Sequence, residues 1–132
     1  MIDQNCQVYF SDDATSDAPR TGSPTLIING RVAVHGVIEG NNQLDSPYTM
    51  ASDNPAYFLC GSNDRTDVYL KFCMVPNPQG SCFGPAQFDC GGNGVLFPNG
   101  VYLARDPNAP DGSASEEGTV SLLVFFTGGA LA

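Results

Sequence analysis

Fifteen glycines and ten prolines are scattered along the whole of this 132-residue chain, and they leave no uninterrupted amphipathic stretch long enough for a helix. What survives between the breakers is strand-like. "CQVYF" (6–10), "TLIINGRVAVHGVI" (25–38), "AYFLC" (56–60), "DVYLKFCMV" (67–75), "GVLFPNGVYLARD" (94–106) and "TVSLLVFFT" (119–127) are short apolar runs divided by polar turns. About eight short antiparallel strands in one domain over 1–132 predict an all-β sandwich, jelly-roll-like. A chain of this size buries roughly two-thirds of the surface its unfolded form exposes, and 42% apolar residues supply a core. The polar and acidic segments 11–24 and 106–118 read as long loops, and 128–132 as a flexible tail.

Two turns set the expected pairing. Asn29-Gly30 fits a type I′ hairpin, with Ile27 facing Val32 and Ile28 facing Arg31. Pro98-Asn99-Gly100 fits a three-residue hairpin loop. In that hairpin Val95, Phe97, Val101 and Leu103 share one face and Leu96 and Tyr102 the other. In "GSNDRT" (61–66) a third hairpin sets Cys60 opposite Asp67. The run "VSLLVFF" is apolar on both sides, with Val120, Leu122, Val124 and Phe126 against Leu123 and Phe125. "DVYLKFCMV" differs, since Lys71 opposes the side carrying Val68, Leu70, Phe72 and Met74. A two-layer sheet normally keeps one polar side. Leu96, Tyr102, Leu123 and Phe125 therefore need cover, from the 11–24 and 106–118 loops or from a neighbouring subunit, and they are the candidate interface residues.

Charge excludes several classes. Fourteen carboxylates against five cationic side chains give a formal charge of −9, which repels a phosphate backbone and an anionic membrane surface. The first residues show no secretory leader, and no apolar run approaches the roughly 18 residues that span a bilayer. Manufacture in a cytoplasm is the expectation, with Cys6, Cys60, Cys73, Cys82 and Cys90 as free buried thiols. No C-x-x-C occurs, so zinc is disfavoured. A Cys60–Cys73 bridge spans too far along a hairpin, while Cys82–Cys90, or Cys73 with either, remains open.

Motifs for chemistry are scarce. His35, the single histidine, lies in an apolar strand and reads as packed or at a rim. No G-x-S-x-G, H-E-x-x-H or phosphate-cradling loop is present; "CGGNG" (90–94) precedes a strand, not a helix. Asp106 and Asn108 with Glu117 imitate positions of a calcium loop, but Pro110 takes a ligand position and Asp111 stands where that loop turns on glycine. A looser calcium site on Asp106, Asp111, Glu116 or Glu117, and the Asp12, Asp13, Asp17 group, read first as solvated acidic loops. No catalytic residue, cofactor or metal is assigned.

At "GGNGVLFPNGVYLARD", followed by "GTVSLLVFFTGG", the chain resembles small all-β structural proteins of tailed bacteriophages over about residues 90–129. Those proteins carry a glycine-led F-x-N-G-hydrophobic-Tyr hairpin and a terminal G-x-V-x-hydrophobic-V strand. The resemblance implies a non-enzymatic capsid decoration or cement protein with a jelly-roll-like body, a homo-oligomer and in particular a trimer. Its partners would be the major capsid protein or other virion proteins, and its place the outer surface of the virion after synthesis in the host cytoplasm. The alternatives are a tail or head-completion component, a calcium-assisted glycan-binding sandwich, and a small Cys/His enzyme.

Overall fold

The computed structural model describes residues 5–12, 14–41, 56–73, 86–106 and 120–132. Ten strands and one helical turn are present among them: β1 (Gln7–Ser11), α1 (Ala14–Asp17), β2 (Thr25–Asn29), β3 (Val32–Asn41), β4 (Ala56–Cys60), β5 (Val68–Cys73), β6 (Ala86–Asp89), β7 (Val95–Phe97), β8 (Val101–Arg105), β9 (Val120–Thr127) and β10 (Ala130–Leu131). They form two antiparallel sheets. The first, sheet A, runs β1-β9-β3-β6, with β7 alongside the other end of β3. The second, sheet B, runs β10-β2-β8-β4-β5.

When β6 and β7 are counted as one position and β10 as an addition, the described strands number eight and, apart from the β4–β5 pair, alternate between sheets as in a jelly roll. The expected fold class is therefore the observed one. Its core lies between the layers: Val32, Val34, Val37, Phe97, Leu122, Val124 and Phe126 from sheet A meet Ile28, Tyr57, Leu59, Phe72, Val101 and Leu103 from sheet B. Tyr57 stacks on Phe72 at 5.9 Å, and Tyr69 of β5 stacks across the layers on Phe97 of β7 at 4.8 Å. At one margin Ala14 and Ala18, in and just after α1, are wholly buried in the same core. Segment 11–24 thus contributes to the core, and is more than a polar loop over an outer face.

Two expected hairpins are not hairpins. After Asn29-Gly30 the chain leaves sheet B for sheet A: Ile28 pairs with Val101 and Leu131, and Val32 pairs with Phe97. Pro98-Asn99-Gly100 likewise joins β7 in sheet A to β8 in sheet B. Phe97 and Val101 do both face the core, but from opposite layers. Long-range ladders override local turn preference here, above all β3 against β9 from Ala33↔Thr127 to Asn41↔Val120. Glycine makes these climbs feasible. Gly129 (φ 65°) crosses so near the β2–β3 link that a Cβ there would lie 2.4 Å from the Asn29 carbonyl oxygen and 2.6 Å from Val32 Cγ2.

The third hairpin, β4–β5, forms as expected, with a bulge. Leu59 pairs with Leu70, but Cys60 pairs with Val68 and not with Asp67, so Val68 falls out of phase with Leu70 and Phe72 and is exposed. The Asp67 carbonyl instead accepts the Gly61 N–H. Ala56 is the partner of Cys73, which puts Cys60 and Cys73 at opposite ends of the ladder. Met74 and Cys82 lie outside the described residues.

Candidate interaction surface

Sheet A has apolar side chains on both of its faces. Along β9 the inner residues Leu122, Val124 and Phe126 are buried, and the alternate Leu123 and Phe125 are half-buried on the outer side. The registers continue that outer side across the sheet. Phe10 lies opposite Leu123, which lies opposite Ile38; Val8 lies opposite Phe125; Leu96 lies opposite Ala33, itself opposite Thr127. Phe10 is 60% exposed, Leu96 44% and Val8 37%. β1, β7 and β9 contain no charged residue, and Asp89 at the end of β6 marks the rim. The result is a largely apolar surface on a chain whose formal charge is −9.

Three of the four candidate interface residues, Leu96, Leu123 and Phe125, come together on this face. Tyr102 does not. It sits on β8 in sheet B, on the opposite side of the molecule, paired with Leu26 and Cys60. The supposed Leu96–Tyr102 pair depended on a hairpin that the chain does not make. The outer side of sheet B is also wetter: Lys71 reaches Asp106 at 3.4 Å and lies 5.4 Å above the Phe58 ring. Val8, Phe10 and Ile38 complete the sheet A face and were missed by sequence reasoning. The alternation in "QVYFS" carries the signal, with Val8 and Phe10 on one side and Tyr9 on the other.

Beside β1 runs an open cleft of about 350 Å³, lined by Tyr9, Phe10, Asp17, Leu26, Ile27 and Leu131 among others. The Tyr9 hydroxyl donates to Asp17 Oδ2 at 3.0 Å, which ties α1 to β1. Burial first, and then this bond and the Asp17 charge, push the phenol far above its ordinary range. The other end of α1 is held from sheet B. The Arg65 guanidinium donates to the carbonyl oxygens of Gly22 (2.7 Å), Pro19 (2.6 Å) and Arg105 (2.7 Å), and Arg105 Nε donates to Ala18 O at 3.1 Å. The loop between α1 and β2 is thereby fixed to the β4–β5 turn and the end of β8.

The candidates for chemistry do not assemble. His35 occupies the bulge between Val34 and Gly36, where Nε2 hydrogen-bonds Thr127 Oγ1 at 2.8 Å and Nδ1 is shielded beside Gly94. Cys90 is joined to it only through the backbone, its N–H donating to the His35 carbonyl. Burial raises the thiols of Cys60 and Cys90, the opposite of an activated nucleophile. None of Cys6, Cys60 and Cys90 is in a disulfide. Among the described residues no three His, Cys, Asp or Glu side chains converge as metal ligands. Of the calcium-loop residues only Asp106 is described, and it faces Lys71; Asp111, Glu116 and Glu117 lie outside the described residues, as does Asp13. No helix among the described residues is long and apolar enough to cross a membrane.

Fold and surface together define the class: a jelly-roll sandwich with one largely apolar outer face. No protein family, no curated protein and no solved structure matches the chain.

Proposed function

We propose that this protein is a non-enzymatic structural component that assembles with further protein through the outer face of sheet A. The observation that carries this reading is the apolar row Phe10, Leu123, Ile38 with Val8 and Phe125 beside it, in which β1 and β9 hold no charged residue. Large apolar patches on soluble proteins mark contact surfaces, and a surface depleted of charge suits the centre of an interface. The acidic remainder opposes contact with nucleic acid, which favours a position on the outside of a particle. Together with the likeness of residues 90–129 to tailed-phage proteins, this supports a capsid decoration or cement protein bound to the major capsid protein, with a tail or head-completion component next.

Native mass measured by light scattering tests the reading. The wild type is expected as a multimer, Leu123→Lys as a smaller species, and Tyr102→Lys, altered on the opposite face, as unchanged. A wild type that stays monomeric up to about 100 µM, above the range of stable assembly, overturns it.

A further inference from the structure

We infer that two copies of this chain join edge to edge through β1, extending sheet A across a two-fold axis centred on Tyr9. The inference rests on the assembly reading above and adds to the outer face a second contact, along the β1 edge, between copies of this chain.

Sheet edges invite pairing, and proteins normally blunt them with charge, proline or shortness. Among the described residues, four of the five edge strands follow that rule. β5 carries exposed Lys71, β6 ends on exposed Asp89, β7 has three residues and meets Pro98, and β10 has two. β1 is the exception. It stands at the end of sheet A, runs five residues as "QVYFS", and has neither charge nor proline. An open cleft of about 350 Å³ separates Tyr9 and Phe10 of β1 from Thr25, Leu26 and Ile27 at the margin of sheet B.

Charge and register point to a second copy as the occupant. A chain at −9 repels its own copies wherever its carboxylates meet, so like copies approach best where neither presents charge. Antiparallel pairing about Tyr9 meets that condition. Gln7 falls opposite the partner copy's residue 11, Val8 opposite residue 10 and Tyr9 opposite residue 9. Asp12 falls opposite residue 6, a cysteine, and not opposite another carboxylate. A two-fold axis normal to the sheet keeps outer side chains outer, so each exposed Phe10 packs on the other copy's Val8, an aromatic–aliphatic cross-strand pair. Sliding the centre to residue 10 sets Val8 against Asp12, and a one-residue slip sets outer positions against inner ones. In the Tyr9 register the row Ile38, Leu123, Phe10 runs straight on into the other copy's Val8 and Phe125. The two apolar faces become one floor, and the assembly is built from pairs in place of the trimer that the phage likeness implies.

The test uses three exposed-site variants of the full chain. Val8→Cys and Phe10→Cys are purified apart, mixed, equilibrated, oxidised and run on a non-reducing gel, with each variant alone and the wild type as baselines. Directly opposed residues come within the roughly 7 Å between Cα atoms that a disulfide needs, whereas two Val8 positions lie diagonally, beyond it. A cross-link specific to the mixture, mapped to residues 8 and 10 by peptide mass, is the expected result. Phe10→Lys, a positive charge on the bare edge, is expected to raise the dissociation constant of the pair about tenfold through two lost cross-strand contacts. A multimeric wild type whose mass survives Phe10→Lys, with no cross-link above baseline in the mixture, overturns the β1 seam and leaves assembly standing. A monomeric wild type overturns both.

Discussion

Arg65 is the side chain whose removal should loosen the molecule most for its modest burial. Its guanidinium spends three N–H groups on three backbone carbonyls at 2.6–2.7 Å, two from the loop between α1 and β2 and one from the end of β8. Each hydrogen bond to a charged group contributes about 1.5–3 kcal/mol when well shielded. Partial exposure lets water replace part of that, so the sum is discounted to about 2–3 kcal/mol for Arg65→Ala. Arg65→Lys keeps the charge but reaches one carbonyl where the planar fork reaches three, and should cost about 1–2 kcal/mol. Urea unfolding followed by circular dichroism measures both. With a slope near 2 kcal/mol/M for a domain of this size, Arg65→Ala should lower the midpoint by about 1–1.5 M. Exposed Arg31→Lys should stay within about 0.5 kcal/mol as the control. If Arg65→Lys matches the wild type, the fork geometry contributes nothing and the staple argument fails.

Gly129→Ala should cost more than about 2 kcal/mol in the same assay, because the positive φ and a methyl at 2.4 Å from the Asn29 oxygen act together; a loss below about 0.5 kcal/mol would show that the crossing can shift. Burial and the Asp17 bond keep the Tyr9 proton on in the folded state while the unfolded chain releases it near pH 10.0, so the unfolded state binds fewer protons and stability falls as pH rises past that value. Tyr9→Phe should flatten this part of the pH–stability curve, and an unaltered slope above pH 10 contradicts the assignment. The raised thiols of Cys60 and Cys90 act with the same sign from about pH 9.0 upward. Cys60, wholly buried, should react with a thiol reagent only at the rate of unfolding, whereas half-buried Cys90 reacts sooner; equal native-state rates would refute the burial difference.

The strands were legible because burial writes a two-residue period into the chain. "VSLLVFFT" alternates buried and half-buried as β9 without interruption, and its apolar outer residues Leu123 and Phe125 were visible before any pairing was known. Which strands pair was not legible. Asn29-Gly30 and Pro98-Asn99-Gly100 have the local grammar of hairpins, yet each spends its turn climbing between layers, because Ile28 and Val32, and Phe97 and Val101, face each other across the core and not along a sheet. Turn chemistry reports backbone angles; the partner is chosen by ladders that begin about a hundred residues away in sequence, such as β1 against β9. The same limit placed Tyr102 on the wrong side and hid Phe10. Arg65 was equally invisible, since its acceptors are carbonyls, which every residue has.

The hairpins that failed also change what the apolar surface means. Had β7 and β8 paired, Leu96 and Tyr102 would form a narrow ridge that one long loop can cover. Because β7 joins β3 and β8 joins β2 and β4, the apolar residues spread instead over a sheet face running from Phe10 through Leu123 to Ile38. Segment 11–24 does not shield that face, since Ala14 and Ala18 are committed to the core and Arg65 and Arg105 hold the carbonyls of Ala18, Pro19 and Gly22 toward sheet B. The same staple seats α1, whose Asp17 receives the Tyr9 hydroxyl and so stiffens β1 from behind. A rigid, unguarded edge pairs at lower entropic cost than a frayed one. Weakening Arg65 should therefore weaken self-association as well as folding, although Arg65 lies on the far sheet. A variant that loses stability and keeps its full association constant would separate the two and leave β1 stiffened by sheet A alone.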